Sequence, residues 1–273
     1  MKGARPTPRL AFGPSVTPGD RVLPEEVAVA LSFNGTTQAV MMATPADLED
    51  FAHGFALTEG IATPQDILSV EVVPAGAGLD VQVWLAPQAE ARLAARRRRM
   101  AGPVGCGLCG IDSIDQALRE MPVVPHGTFR MTPAQVMAAV AALPGAQPLH
   151  DATRSAHCAA FWSAGSLVAA REDVGRHNAL DKLAGALLPG RMGNIAHPTD
   201  QGAVVLTSRV SIDLVQKVAA MGCGVMIAVS APTADAVALA DRAGITLIAM
   251  ARPDRFEAYT HTDRIVTENA HVR

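Results

Sequence analysis

The sequence predicts an α/β protein in two parts, a smaller α+β unit followed by a larger α/β unit. Three observations carry that expectation. Of 273 residues, 49% are hydrophobic and only 18% charged, a composition that fills a sizeable core rather than a disordered coil. From "SAHCAAFWS" onward, short apolar runs alternate with amphipathic stretches of about a dozen residues, the pattern of a largely parallel sheet covered on both faces. Before the proline cluster "MPVVPHGTF" the order differs, with hairpins and helices segregated. That cluster puts the boundary near residue 124. The resulting division is an irregular leader at 1–24, an α+β unit at 25–124 and an α/β unit at 125–273.

The elements follow in order. "MKGARPTPRLAFGPSVTPGD" is broken by prolines and glycines and reads as irregular. "EEVAVALSFNG" alternates and ends in Asn-Gly, a strand entering a tight hairpin, with "TTQAVMMATP" as the return strand. "TPADLEDFAHGFALTEG" is a helix capped by Thr44 with Pro45 in its first turn; Leu48, Phe51, Phe55 and Leu57 share much of one face and Gly60 ends it. "ILSVEVVPAGAGLDVQVWLAP" is a second hairpin. "QAEARLAARRRRM", "DSIDQALREM" and "TPAQVMAAVAAL" are helices. "SAHCAAFWSAGSLVAAREDVG" is a strand pair turning at Ala164-Gly165, and "RHNALDKLAGALL" is helical. The strands "GAVVLTS", "VMIAVSAP" and "ITLIAMARP" are separated by the helices "SIDLVQKVAAMG" and "TADAVALADRAG".

Composition removes several function classes. A net charge of −3 and 4% aromatic residues give neither the basic surface nor the stacking platforms of a nucleic-acid binder. No apolar stretch approaches the ~18 residues a spanning helix needs, and the N-terminal residues lack the apolar core of a signal peptide. The expectation is a cytoplasmic protein without membrane or nucleic-acid partners. Its four cysteines are too few for a disulfide framework in a chain this long.

Four constellations carry chemistry. In "GPVGCGLCGIDSID", Cys106 and Cys109 stand among glycines just before a helix start. Helix-terminal amides favour a thiolate, and the glycines keep bulky side chains from the sulfur. A reactive thiol that accepts and presents sulfur fits these features. So does half a zinc site completed by His157 or Cys158, and so does a redox disulfide. Second, "REDVGRHNALDK" (Arg171 to Lys182, with His177) crowds hydrogen-bonding groups at a strand-to-helix junction, where open α/β sheets place ligands. Third, Ser208, Ser211, Ser230 and Thr233 fall between apolar strands and helix starts. Each fits routine capping, and together they fit a phosphate-bearing ligand. "MARPDR" follows the last strand, and Arg252 and Arg255 suit a diphosphate or guanine nucleotide; no P-loop motif is present. Fourth, Arg96 to Arg99 close a helix just before the cysteines, as a solvated end or a docking patch for an acidic partner.

The stretches "NGTTQAVMMATPADLEDFAHGFALTEG", "CGLCG", "REDVGRHNALDK", "SAPTADAVALADRAGITL" and "RPDRFEAYTH" occur in an order that resembles the formate dehydrogenase accessory sulfurtransferase (FdhD) family, from about Asn34 to His261. The resemblance implies a C-terminal three-layer α/β/α sandwich of cytidine deaminase-like type and a homodimer. It implies a sulfur relay from a cysteine desulfurase, through a persulfide, to the molybdenum of bis-molybdopterin guanine dinucleotide, for use by the formate dehydrogenase catalytic subunit. Cys106 would carry the persulfide with Cys109 as helper. Met250, Ala251, Arg252, Pro253, Asp254 and Arg255, with Ser208, Ser230, Thr233 and His177, would hold the cofactor as cargo, and GDP or GMP would mimic it. The protein itself would need no metal. The other reading is a chaperone that holds and inserts the cofactor without obligatory sulfur transfer. The chain departs from the family pattern at Thr153 to Cys158, "TRSAHC", where Thr-Gly-Gly before the histidine is common, and at Pro253, where glycine is common.

Overall fold

The computed structural model describes residues 2–99, 122–191 and 199–267. Cys106, Cys109 and the helix expected at "DSIDQALREM" lie outside the described residues.

The N-terminal residues differ from expectation. Strands β1 (Ala4–Phe12) and β2 (Val16–Pro24) pair as an antiparallel ribbon, not an irregular leader. Pro6, Pro8 and the Leu10–Pro18 pair occupy alternate steps of its register. In a two-stranded ribbon every other amide faces outward, so prolines spaced in twos remove no ladder bond.

The next unit is a four-stranded sheet. Strands β3 (Val27–Phe33) and β4 (Thr36–Ala43) form a hairpin, as do β5 (Ile67–Ala75) and β6 (Gly78–Leu85). The order is β4-β3-β6-β5, with β3 and β6 parallel at the centre. Asn34 and Gly35 both take positive φ, 46° and 73°, the tight turn their pair demands. Helices α1 (Leu48–Thr58) and α2 (Pro87–Arg99) cover one face, and Phe51, Ala52, Leu93 and Ala89 meet Val29, Leu31, Phe33, Val81 and Val83 there. Helix α1 begins at Leu48 behind Asp47, not at Thr44. The cause is long range: the Thr44 amide and carbonyl are engaged by Asp173 and Lys182.

After α3 (Pro133–Ala142) and the short α4 (Pro148–Thr153), the larger unit is built on a six-stranded sheet of order β12-β11-β10-β9-β7-β8. Its strands are β7 (His157–Ser163), β8 (Ser166–Asp173), β9 (Ala203–Leu206), β10 (Val225–Ala228), β11 (Thr246–Arg252) and β12 (Arg255–Ala258). It is mixed, where the sequence suggested largely parallel: β9, β10 and β11 run parallel, while β7, β8 and β12 join antiparallel. The β7–β8 connection is a turn at Ala164-Gly165, too short for a parallel crossover. Helices α5 (Arg176–Ala186), α6 (Ile212–Ala220) and α7 (Ala234–Arg242) pack on one face through Leu180, Leu183, Leu214, Val218 and Ala240. Helix α3 packs on the other through Val136, Ala139 and Val140, against Ala160, Val205 and Ile227. The chain is thus a mixed α/β protein whose main sheet is buried on both faces. No helix among the described residues is long and apolar enough to cross a membrane.

Helices α1 and α5 join the two units at very close range. A Cβ on Gly54 would lie 1.7 Å from the Asp181 carbonyl oxygen, and one on Gly185 would lie 1.9 Å from that of Asp50. Only glycine permits the approach.

Candidate functional site

The carboxyl ends of β9, β10 and β11 lie side by side and their loops are stitched together. Val229 N–H donates to Leu206 O at 2.9 Å, Thr233 N–H to Val210 O at 3.0 Å, and Met250 N–H to Ser230 O at 3.3 Å. Because β7 and β8 run antiparallel to one another, the first residue of β7 and the last of β8 share this end, where His157 pairs with Asp173. Cys158 N–H donates to Thr207 Oγ1 at 2.9 Å, which fastens β7 to the loop after β9. Helix α5 then starts at Arg176. One edge of the sheet therefore gathers His157, Arg176, His177, Ser208, Ser230 and Met250, with the Arg252–Arg255 turn at its far side. From β11 to β8 there are four strand spacings, roughly 19 Å.

The electrostatics of this edge favour an anion. No side chain caps α5 at Gly175 and no acidic residue sits in its first turn, so its terminal amides and dipole face outward. The Nε of Arg176 is buried and has no hydrogen-bond partner among the described residues. His157 is held below its usual pKa, first by burial and then by the Arg176 charge. His177 Nε2 lies 3.1 Å from Asp213 Oδ2 and bridges the starts of α5 and α6. That His177 contact is the main reason the Asp213 carboxyl is held low.

Other sequence candidates make local contacts. The Thr233 hydroxyl accepts from Ala236 N–H at 3.2 Å, a routine helix cap. The Ser208 hydroxyl is buried and donates to Arg209 O at 3.1 Å. Arg252 folds its guanidinium onto Val229 O and Ala251 O, at 2.5 and 2.8 Å, bracing the strand ends. Ala251 is buried in the core. Pro253, Asp254 and Arg255 are exposed at the β11–β12 turn, with Arg255 paired to Asp254 at 3.1 Å. Met250 takes φ 51° within the irregular stretch between Ala249 and Arg252, which turns its side chain partly into solvent.

"REDVGRHNALDK" divides its labour. Asp173 and Lys182, both fully buried, pair at 2.6 Å. The Asp173 carboxylate also accepts from Thr44 N–H, Gly175 N–H and Asn178 Nδ2. Asp181 accepts from Thr58 Oγ1 at 2.7 Å and from Lys217 Nζ at 2.9 Å, and Lys217 also reaches Glu59 at 2.7 Å. Burial, only partly offset by the Lys217 charge, holds the Asp181 pKa above its ordinary value. Arg171 and Arg191 both grip Asp50, at 2.7 and 2.8 Å. These are clasps between the two units, and Asp50, Arg171 and Arg191 also line an open cavity with Thr44 and Glu172. Only Arg176 and His177 of the stretch serve the open edge. The sequence held the signal: Asn178, Asp181, Lys182 and Gly185 are spaced i, i+3, i+4, i+7, one helix face. The Asp50 clasp had no local signal.

The remaining cysteines are inert. Cys158 and Cys223 are 2% and 0% exposed. Burial pushes their thiols up to about 12 and about 11. Cys158 packs in the core beneath α3.

The described residues make a mixed α/β protein in which the strand ends beside Arg176 and His177 stay open and both described cysteines are buried. Residues 24–266 match the model of the FdhD/NarQ family, and the chain belongs to that family. It is 53% identical over 250 residues to a sulfur carrier protein FdhD of Agrobacterium fabrum, covering 91% of this chain and 90% of that one. It is 52% identical over 248 residues to a protein of the same name from Brucella abortus, covering 90% of each. A crystal structure described as a candidate formate dehydrogenase accessory protein from Desulfotalea psychrophila superposes with a TM-score of 0.74 at 24% identity, covering 96% of this chain and 99% of that one. That likeness bears out the mixed α/β fold.

Proposed function

We propose that this chain is a sulfur carrier in formate dehydrogenase maturation, with Cys106 as the persulfide carrier and the sheet edge as the cradle for bis-molybdopterin guanine dinucleotide. The observation that carries the reading is the elimination among cysteines. Of four, Cys158 and Cys223 are buried with raised pKa values, and a sulfur acceptor must be an accessible thiolate. The work falls to Cys106 and Cys109.

The Cys106 thiolate attacks the outer sulfur of a cysteine desulfurase persulfide. A new S–S bond forms, the old one breaks, and the desulfurase cysteine leaves as thiolate. A two-electron reductant of the dithiol class then cleaves the Cys106 S–S bond: the outer sulfur leaves at the sulfide level for molybdenum, the Cys106 thiol is restored, and the dithiol becomes a disulfide. The cargo's phosphates fit the uncapped α5 terminus and Arg176, whose buried Nε lacks a partner among the described residues. The roughly 19 Å edge suits an extended nucleotide ligand, and GDP or GMP would occupy part of it. The carrier works in the cytoplasm as a homodimer and hands its cargo to the formate dehydrogenase catalytic subunit.

Mass spectrometry after incubation with a cysteine desulfurase and cysteine tests the carrier step. The expected result is an adduct of one sulfur atom on Cys106. A Cys106→Ala variant should fold, bind guanine nucleotide, and yield inactive formate dehydrogenase. Normal maturation by that variant would overturn the relay. The orphaned Arg176 Nε supports a second reading, a cofactor chaperone without obligatory sulfur transfer. Tight guanine nucleotide binding with no sulfur loading would favour it.

A further inference from the structure

We propose that His126, His261 and Asp263 form a binding site for a divalent transition metal of the zinc class. The site lies at the amino end of the parallel strands, where the segment after residue 121 meets the C-terminal segment. The Val124 N–H donates to Ala243 O at 2.9 Å, and Thr246 Oγ1, at the start of β11, donates to His261 O at 2.8 Å. The anion-receptive edge is at the other end of β11, about six residues or roughly 20 Å away. The two sites are separate.

The geometry is one ion wide. His126 Nε2 and Asp263 Oδ2 stand 3.5 Å apart, long for a hydrogen bond. Two ligands held at about 2.0–2.1 Å from one tetrahedral zinc ion lie roughly 3.3 Å from each other. That pair needs to move only a few tenths of an ångström. One nitrogen of His261 completes a set in which all three ligand atoms lie within 4.8 Å of one another. The two imidazoles meet edge to face, with centroids 6.4 Å apart at 76°.

The supports are already in place. His261 Nε2 lies 2.8 Å from Asp241 O, which can only accept. The proton is therefore on Nε2 and the lone pair on Nδ1, the tautomer that second hydrogen bonds impose on metal-binding histidines. Asp263 is held in a turn whose next residue, the buried Arg264, is tied to Gly244 O at 2.9 Å and Thr246 Oγ1 at 3.1 Å. The Asp263 and His126 side chains are 54% and 56% exposed, which leaves a route for the metal and a fourth position for water. Two imidazoles and a carboxylate are a nitrogen- and oxygen-rich donor set suited to zinc. The bound ion would staple the entry of the larger unit to its exit.

The test uses the full chain with Cys106→Ser and Cys109→Ser, so that thiol binding cannot contribute. Zinc is titrated against a chromophoric chelator, and cobalt(II) replaces it for absorption spectroscopy. The expected result is saturable one-to-one binding, a cobalt spectrum without thiolate charge transfer, and an affinity loss of at least about tenfold in both His126→Ala and Asp263→Asn. His126 and Asp263 are exposed, so both variants should fold, and circular dichroism verifies it. No saturable binding, or binding unchanged in both variants, would overturn the proposal. Neither outcome bears on sulfur transfer.

Discussion

Gly54→Ala sets two physical effects against each other with opposite signs. In an open helix the change should stabilise by about 0.8–1.0 kcal/mol, because alanine fixes the backbone more cheaply. At this position the new Cβ would sit 1.7 Å from the Asp181 carbonyl oxygen, 2.6 Å from its carbon and 2.7 Å from Gly185 N. All three are backbone atoms of α5, so no rotamer relieves the clash. Restoring ordinary contact requires α1 and α5 to part by about 1.5 Å or more. Overpacking of that kind costs about 1–3 kcal/mol, occasionally more. The separation also stretches the clasps at the crossing, Thr58 to Asp181 at 2.7 Å and Arg171 to Asp50 at 2.7 Å. We expect a net loss near 2 kcal/mol, or a melting temperature lower by about 4–8 °C for a chain of this size. Thermal unfolding followed by circular dichroism or calorimetry measures it. An unchanged or raised melting temperature would refute the reasoning, since it would mean that the helices do not touch at Gly54.

Further perturbations probe the clasps and thiols. Lys182→Met leaves the Asp173 carboxylate, fully buried, without its counter-charge and should cost about 3–5 kcal/mol in urea unfolding. Burial opposes the Lys217 charge, but Asp181 and Glu59 outweigh it and hold its pKa above the ordinary 10.5. A folded value above the unfolded one gives stability that is complete below about pH 10 and lost as pH rises through the folded value; alkaline unfolding should therefore be flatter in Lys217→Met. Native alkylation at pH 8 should spare Cys158 and Cys223, and peptide mass spectrometry finding either labelled before unfolding would contradict their burial. Arg154 holds φ 59° at the end of α4, so Arg154→Gly should be neutral or stabilising by up to about 1 kcal/mol in the same unfolding assay.

Local chemistry was the legible part of the sequence. Asn34-Gly35 and Ala164-Gly165 name their turns because the dipeptide alone meets the conformational demand. The apolar runs of β9, β10 and β11 name buried strands because hardly any other arrangement hides four or more such side chains in a row. What stayed hidden was set by partners distant in sequence. Thr44 reads as a helix cap by itself and becomes a clasp point only when Asp173 and Lys182 arrive. Pro6, Pro8 and Pro18 read as breakers until the ribbon shows that their missing amides face outward. The site residues split the same way. Arg176 and His177 stood at the expected strand-to-helix junction, while Thr233 and Ser208, placed between strands and helix starts, are satisfied locally.

Helix α5 explains why so much charge is buried in one place. Its inner face carries Asn178, Asp181, Lys182 and Gly185 against α1 and the Met42–Thr44 segment. Its first turn carries Arg176 and His177 to the sheet edge. An apolar inner face would hold the helix with fewer unmet obligations, because buried ion pairs seldom beat packed hydrocarbon. Hydrogen bonds, unlike hydrocarbon contacts, fix rotation and register. Asp173 takes donors from Thr44, Gly175, Asn178 and Lys182 at once, so the start of α5 has a single orientation. Amides already fixed in direction lose little entropy when an anion arrives. The same rigidity holds the Arg176 Nε buried without a partner among the described residues, at a cost of about 1–3 kcal/mol. In the proposed function a phosphate oxygen at that edge would recover the cost on binding, which would link the clasp to ligand binding in one helix.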